Sequence, residues 1–199
     1  MIVTKKTIRS SIQTFVIAFI EWIILFAALP ICLLAMLLIS FVCVVFQGWP
    51  VFYYSSRIGK NKQLFKMIKF RTMRCDAPVR ETHNDMQSYV TGLGRVLRVT
   101  SLDELPQVLN VFMGQMSLVG PRPCLPSQKD LVRLRDQKAI FSMKPGLTGL
   151  AQVRGRDFLS TRRKVKYEEV YLNNENVKFF LKILCMSFKV IIQKVNIRY

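Results

Sequence analysis

Two adjacent carboxylates, Asp103 and Glu104, stand in a stretch that is otherwise rich in cations. Arg95 and Arg98 precede them, and Arg122 follows between Pro121 and Pro123. These separations are short enough for a fold to close, so all of these side chains can face one site. The combination suits chemistry on phosphate. A guanidinium grips phosphate oxygens in bidentate fashion. A carboxylate can hold a divalent metal that also touches phosphate, or it can attack phosphorus itself. The same residues also have a purely structural reading. Ser101-Leu102-Asp103-Glu104 fits a capping box, S-x-x-E. Alternatively Asp103 is the N-cap, and Pro106 sits in the first turn, where its missing N–H costs nothing. The two readings are compatible, because a helix start concentrates positive potential and attracts phosphate.

The elements that must position these groups begin with a membrane segment. From Phe15 to Phe46 the chain is almost entirely apolar, with Glu21 its one charge. The run is too long for a signal-peptide core, and no small-residue cleavage site follows it. A straight helix of this length would measure about 48 Å, against a hydrocarbon core of ~30 Å. Pro30 divides it into two arms, each short for a span, and a mid-helix proline bends the axis. Both flanks are basic: Lys5, Lys6 and Arg9 before, Arg57, Lys60, Lys62 and Lys66 after. Charge therefore assigns both ends to the cytoplasm. The expectation is a re-entrant helix–break–helix with its break at Pro30. The alternative is one long tilted span. Glu21 either finds a partner or snorkels to the surface.

Beyond Gly48 the residues read as a small, mainly helical cytoplasmic domain, α+β in class. We place the boundary between 1–48 and 49–199. A β-hairpin is expected over 51–73, with Lys69 and Arg71 on one strand face; such a pair is more often simply solvated. Residues 74–91 read as a polar loop, and its His83 is given no role. Short helices are expected over Gly92–Arg98 and Glu104–Met113, and an amphipathic one over Gln128–Ile140. Pro145 to Gly149 reads as a glycine-rich turn. Val177 to Asn196 suits either a basic interfacial helix on anionic lipid or a packing helix with its lysines outward.

The net charge of +18 calls for an anionic partner. Cys32, Cys43, Cys75, Cys124 and Cys185 are scattered, which argues against both a disulfide framework and a zinc site. No nucleotide-binding P-loop, G-x-G-x-x-G or nucleic-acid motif occurs.

The stretch SLDELPQVLNVFMGQMSLVGPRP (101–123) resembles the signature of the monotopic phosphoglycosyl transferases, the bacterial sugar transferases that start glycan assembly on a polyprenyl phosphate. WPVFYYSSRIGK, LFKMIKFRTM and GLGRVLR match upstream. KPGLTGLAQVRGRD and, more weakly, YEEVYLNN match downstream, in the family's order over nearly the whole chain. The resemblance implies an acid pair at Asp103 and Glu104, phosphate or substrate contacts at Lys69, Arg71, Gln152 and Arg156 beside Arg98 and Arg122, and a re-entrant membrane helix. The chain departs from the family at several places: Leu29 stands where a serine is usual, Glu21 is displaced from the usual aspartate, Phe180 replaces an aspartate, and a threonine is usual near Ser187.

Two function classes follow. One is a membrane enzyme that moves a sugar-1-phosphate from a UDP-sugar to undecaprenyl phosphate through an aspartyl-phosphosugar. It would act at the cytoplasmic face of the inner membrane. Hard oxygen ligands point to Mg²⁺, with Glu104 its ligand. Anionic lipid is an expected partner, nucleic acid is not, and a homodimer is left open. The other class is a non-enzymatic membrane-anchored basic protein that binds nucleic acid or anionic lipid.

Overall fold

The computed structural model describes residues 2–77, 84–155 and 158–193. One helix, α1 (Ile2–Gln47), opens the chain, and over Ile12–Gln47 it is long and apolar enough to cross a membrane. It stops where glycine can: Gly48 takes a left-handed φ of 67°, and Trp49-Pro50 follows. Pro30 lies inside this helix and does not end it. The expected interruption is thus absent from the secondary structure. Proline removes one ladder bond and crowds the carbonyl four residues back, which bends a helix without having to break it.

α1 is not a detached anchor. Ile17 and Leu25 of its first arm are buried in the main core, against Phe180 and Ile183 among others. Met36 and Cys43 of its second arm are buried with Val51, Phe70 and Leu97. Its opposite face, including Phe15, Phe19, Phe26, Leu37, Phe41 and Phe46, is exposed.

The predicted hairpin is present. β1 (Phe52–Ile58) pairs antiparallel with β2 (Leu64–Phe70), from Phe52 opposite Phe70 to Ile58 opposite Leu64. Helices α2 (Gly92–Val99) and α3 (Gln107–Phe112) flank a 3₁₀ turn at Leu102–Glu104. The stretch expected as a loop contains a 3₁₀ segment at Asn84–Tyr89, while His83 lies outside the described residues.

A second, parallel ladder joins β3 (Ser117–Val119) to β4 (Gly146–Thr148), where only a turn was expected. Glycine makes this approach feasible: a Cβ on Gly146 would lie 2.0 Å from the Gly120 nitrogen. The remaining helices are α4 (Lys129–Gln137), α5 (Leu150–Arg154), α6 (Thr161–Asn174) and α7 (Val177–Gln193).

α7 packs one face into the core and turns its lysines outward. Phe180 and Ile183 are fully buried, so the residue standing where the family has an aspartate is a core residue. Lys178, Leu181, Lys182, Phe188 and Lys189 are exposed along the other side. Ser187 is tied to Thr148 of β4 through their hydroxyls, 2.6 Å apart.

Candidate active site

Three elements bring one cation cluster onto the acid pair. β2 supplies Lys69, the 3₁₀ turn supplies Asp103 and Glu104, and the loop after β3 supplies Arg122. Glu104 Oε1 accepts from Lys69 Nζ and from Arg122, each at 2.8 Å. Asp103 is 3.8 Å from the same ammonium and is about nine-tenths buried. Its carboxylate accepts no hydrogen bond among the described residues. Arg98, in the last turn of α2, donates Nε to Thr72 Oγ1 at 2.9 Å and faces the charge of Asp103.

This geometry drives the two neighbouring acids in opposite directions. Burial pushes the Asp103 carboxyl above its ordinary value. Lys69 draws it back down, and the adjacent Glu104 charge adds to the rise. Burial also opposes the Glu104 charge, but Arg122 and Lys69 outweigh it and hold Glu104 well below the usual carboxylate range. Glu104 is therefore a fixed, neutralised anion. Asp103 is the more basic of the two carboxylates, with Lys69, Arg98 and Arg122 all favouring its ionised form.

The capping readings do not hold. Ser101 sits at a left-handed φ of 57° and makes no side-chain cap, and Glu104 turns to Lys69 and Arg122 instead of back to Ser101. Asp103 caps nothing either, since α3 starts at Gln107 behind Pro106. The cations, not a helix dipole, supply the positive potential.

The other sequence candidates separate. Arg71 is not in the cluster. The strand alternation that would align it with Lys69 ends at Phe70. Buried to 8% exposure, its guanidinium donates to the carbonyls of Gln47, Gly48 and Trp49 and so closes the carboxyl end of α1. Arg95 is exposed and makes none of these contacts. Gln152 is buried on α5, and neither atom of its amide has a hydrogen-bond partner. A Cβ on Gly149 would meet its Oε1 at 2.6 Å and the Gly120 carbonyl at 2.0 Å, which puts Gln152 beside the root of the Arg122 loop. An orphaned buried amide is costly unless a ligand satisfies it. Arg156 lies outside the described residues.

Sequence reasoning missed several supports. Arg57 donates to Ser55 Oγ and to the Pro123 carbonyl, bracing the loop that carries Arg122. Behind that loop, Arg135 of α4 and Glu168 of α6 form a buried bidentate pair at 2.8 and 2.5 Å. Of the two fates open to Glu21, a partner or the surface, it takes the partner. It accepts from the Ser117 hydroxyl and, at 2.8 Å, from the Leu118 N–H. The one acid in an apolar run was the available signal for it.

No three His, Cys, Asp or Glu side chains gather to hold a metal among the described residues. Two hard carboxylates are nevertheless what Mg²⁺ commonly takes from a protein when phosphates and water complete its shell, so the acid pair fits.

The profile of the bacterial sugar transferases matches residues 12–194. The exopolysaccharide production protein ExoY of Rhizobium meliloti (strain 1021) is 41% identical over 166 residues, covering 73% of this chain and 70% of that protein. A UDP-glucose:undecaprenyl-phosphate glucose-1-phosphate transferase of Klebsiella pneumoniae is 39% identical over 157 residues, 73% of this chain and 33% of the relative. An undecaprenyl-phosphate galactose phosphotransferase of Salmonella typhimurium is 34% identical over 168 residues, 74% of this chain and 34% of the relative. The chain thus spans about a third of the length of the two relatives with a named reaction.

Proposed function

The chain belongs to the bacterial sugar transferase family, and from that premise we propose that it moves a sugar-1-phosphate from a UDP-sugar to undecaprenyl phosphate with release of UMP. The observation that carries the reading is the split acid pair. Glu104 is locked between Lys69 and Arg122, while its neighbour Asp103 is desolvated, more basic and accepts no hydrogen bond. A carboxylate in that state is suited to attack phosphorus without a separate base.

In this mechanism an Asp103 oxygen bonds to the β-phosphorus as the bond to the α-phosphate oxygen breaks, and UMP departs. The phosphate oxygen of the polyprenyl acceptor then attacks the same phosphorus. It displaces the Asp103 carboxylate and yields the lipid diphosphate sugar. Arg122, Lys69 and Arg98 neutralise the charge on the transferring phosphoryl oxygens. Gln152 meets the donor with its orphaned amide, and Arg156 is a further donor contact. Mg²⁺, held by Glu104, would supply additional neutralisation of the diphosphate.

The membrane placement belongs to the same proposal: a cytoplasmic active site on the inner membrane. α1 is bonded to the rest of the protein at its middle, by Glu21 to β3, and at its carboxyl end, by Gln47 to Thr91 and Arg71. These ties are about 39 Å apart along a straight helix, which suits a helix lying along the domain better than one leaving it perpendicularly. Pro30 is on the exposed side. A proline ring clashes with the preceding turn on its own side, so a bend at Pro30 would be directed toward the face that the domain covers. That geometry supports the re-entrant form, with both ends cytoplasmic. The lysines and exposed Phe188 of α7 suit contact with anionic lipid. Thr4→Cys and Lys62→Cys, each alone in a background free of native cysteines, should resist an impermeant thiol reagent in intact cells. Labelling of either from outside contradicts this topology.

The direct test is purified protein in bilayer discs with a panel of UDP-sugars. UMP and the lipid diphosphate sugar are expected together, with turnover requiring undecaprenyl phosphate and lost in excess EDTA. No UMP from any donor would leave the non-enzymatic reading.

A further inference from the structure

The mechanism leaves Glu21 unused, although it is the one charge in the apolar run of α1. Its neighbours on the helix face explain where it points. Ile17 and Leu25, one turn to either side, are buried in the main core with Leu118 and Val119 of β3. That packing presses the Glu21 carboxylate against the start of the strand.

In the parallel ladder, Ser117 donates its N–H to the Pro145 carbonyl, so the Leu118 N–H points away from β4. Glu21 receives it at 2.8 Å and also receives the Ser117 hydroxyl. Leu118 is four residues before Arg122, about 13 Å of extended chain. The segment between them is stiff. Gly120 donates to the Thr148 carbonyl, Pro121 accepts from Gly146, and glycine at 120 and 146 leaves no slack for a side chain. At its far end Arg122 meets Glu104 at 2.8 Å.

We propose that Glu21 is a positioning residue for Arg122: by fixing the start of β3 it sets where the strand delivers that guanidinium, and so couples the seating of the membrane helix to the transfer site. This rests on the functional reading above. The polar contact is what matters, so a neutral acceptor should serve, whereas an apolar side chain of similar size should not.

The test uses the full-length protein in bilayer discs, with UMP release from UDP-glucose or UDP-galactose and amide hydrogen exchange over 117–124 as readouts. Glu21→Leu should lower kcat/KM by about tenfold or more, as loss of a hydrogen bond to a charged group does, and Glu21→Gln should recover to within about threefold of wild type. Ser117→Ala, which removes the same contact from the strand side, should lose activity in the same direction. Placed on Arg122→Ala, Glu21→Leu should cost less than about twofold further, because the effect runs through the arginine. Exchange should speed up from Leu118 to Arg122 in the Leu variant and not in the Gln variant.

An active Glu21→Leu enzyme overturns the proposal. So does a full tenfold loss repeated on Arg122→Ala, which would mean a general structural role. If the wild type releases no UMP from any UDP-sugar, the functional reading falls instead. Exchange then decides this point alone: unchanged protection over 118–122 in Glu21→Leu overturns it, and loss confined to that variant supports it.

Discussion

Two carboxylate–arginine clusters lie on either side of the Pro121–Leu125 loop, and they are built differently. Behind the loop, Arg135 and Glu168 match one to one. Both ends of the fork are engaged and the side chains are only 4% and 3% exposed. In front, Glu104 shares a single oxygen between Lys69 and Arg122, and Asp103 is left beside them with a contact of 3.8 Å. The Arg122 side chain is 42% exposed. The rear pair is complete. The front cluster has more cationic reach than its acids use, because Lys69, Arg98, Arg122 and Arg57 all act on two carboxylates. Surplus positive charge that reaches solvent through Arg122 is a place for an anion, and a closed bidentate pair is a brace.

Substitutions can break this contrast. The largest effect is expected at Asp103. Asp103→Asn keeps the shape and removes the proposed nucleophile, so UMP release should fall by about a thousandfold or more while the thermal midpoint stays close to wild type. Next is the brace. Arg135→Ala strands a buried carboxylate and should cost about 3–5 kcal/mol of stability. Replacing both partners, Arg135→Met with Glu168→Leu, should restore most of that and much of the activity. If the single and double variants are equally unstable, the pair is more than a matched brace.

Arg122→Ala should reverse the pattern, with about a 10- to 100-fold loss of kcat/KM and little loss of stability. The smallest effect sharpens the distinction by pH. The folded Glu104 carboxyl is held below its unfolded value, so its contribution is present above about pH 4.3 and is lost as pH falls through the folded value. Glu104→Gln should therefore lower stability by about 1–3 kcal/mol at pH 7, with the difference from wild type shrinking in acid. Thermal midpoints across pH check this, and a constant difference would contradict it.

The front cluster was largely legible in the sequence. Asp103, Glu104, Arg98 and Arg122 are dense in one stretch, and their types announce phosphate chemistry. Lys69 came only with the resemblance, because a lysine on a strand face is ordinarily solvated. Arg71 was assigned to the same face by period-two alternation, which fails because the strand stops one residue earlier. The rear brace could not be read: Arg135 and Glu168 are far apart in sequence, and each sits in a charged helix that looks solvated. β3 and β4 are too short to show a period.

The inward stripe of α1, through Ile17, Glu21, Leu25, Met36, Cys43 and Gln47, is hidden for another reason. Both faces of the helix are apolar, so polarity does not mark which one the domain covers. Pro30 was legible as a bend, but the local rule does not say whether the bend interrupts the helix.

The central claim is that Asp103 becomes phosphorylated by the donor. The measurement is rapid-quench UMP release with intact-protein mass analysis, using the full-length protein and an accepted UDP-sugar without any lipid phosphate. A single burst of about one UMP per active enzyme is expected. A protein adduct with the mass of the sugar phosphate is also expected, discharged on adding undecaprenyl phosphate and absent from Asp103→Asn. UMP that appears only when the lipid phosphate is present, with no adduct at any quench time, would contradict that claim and leave a direct in-line transfer in which Asp103 only holds metal.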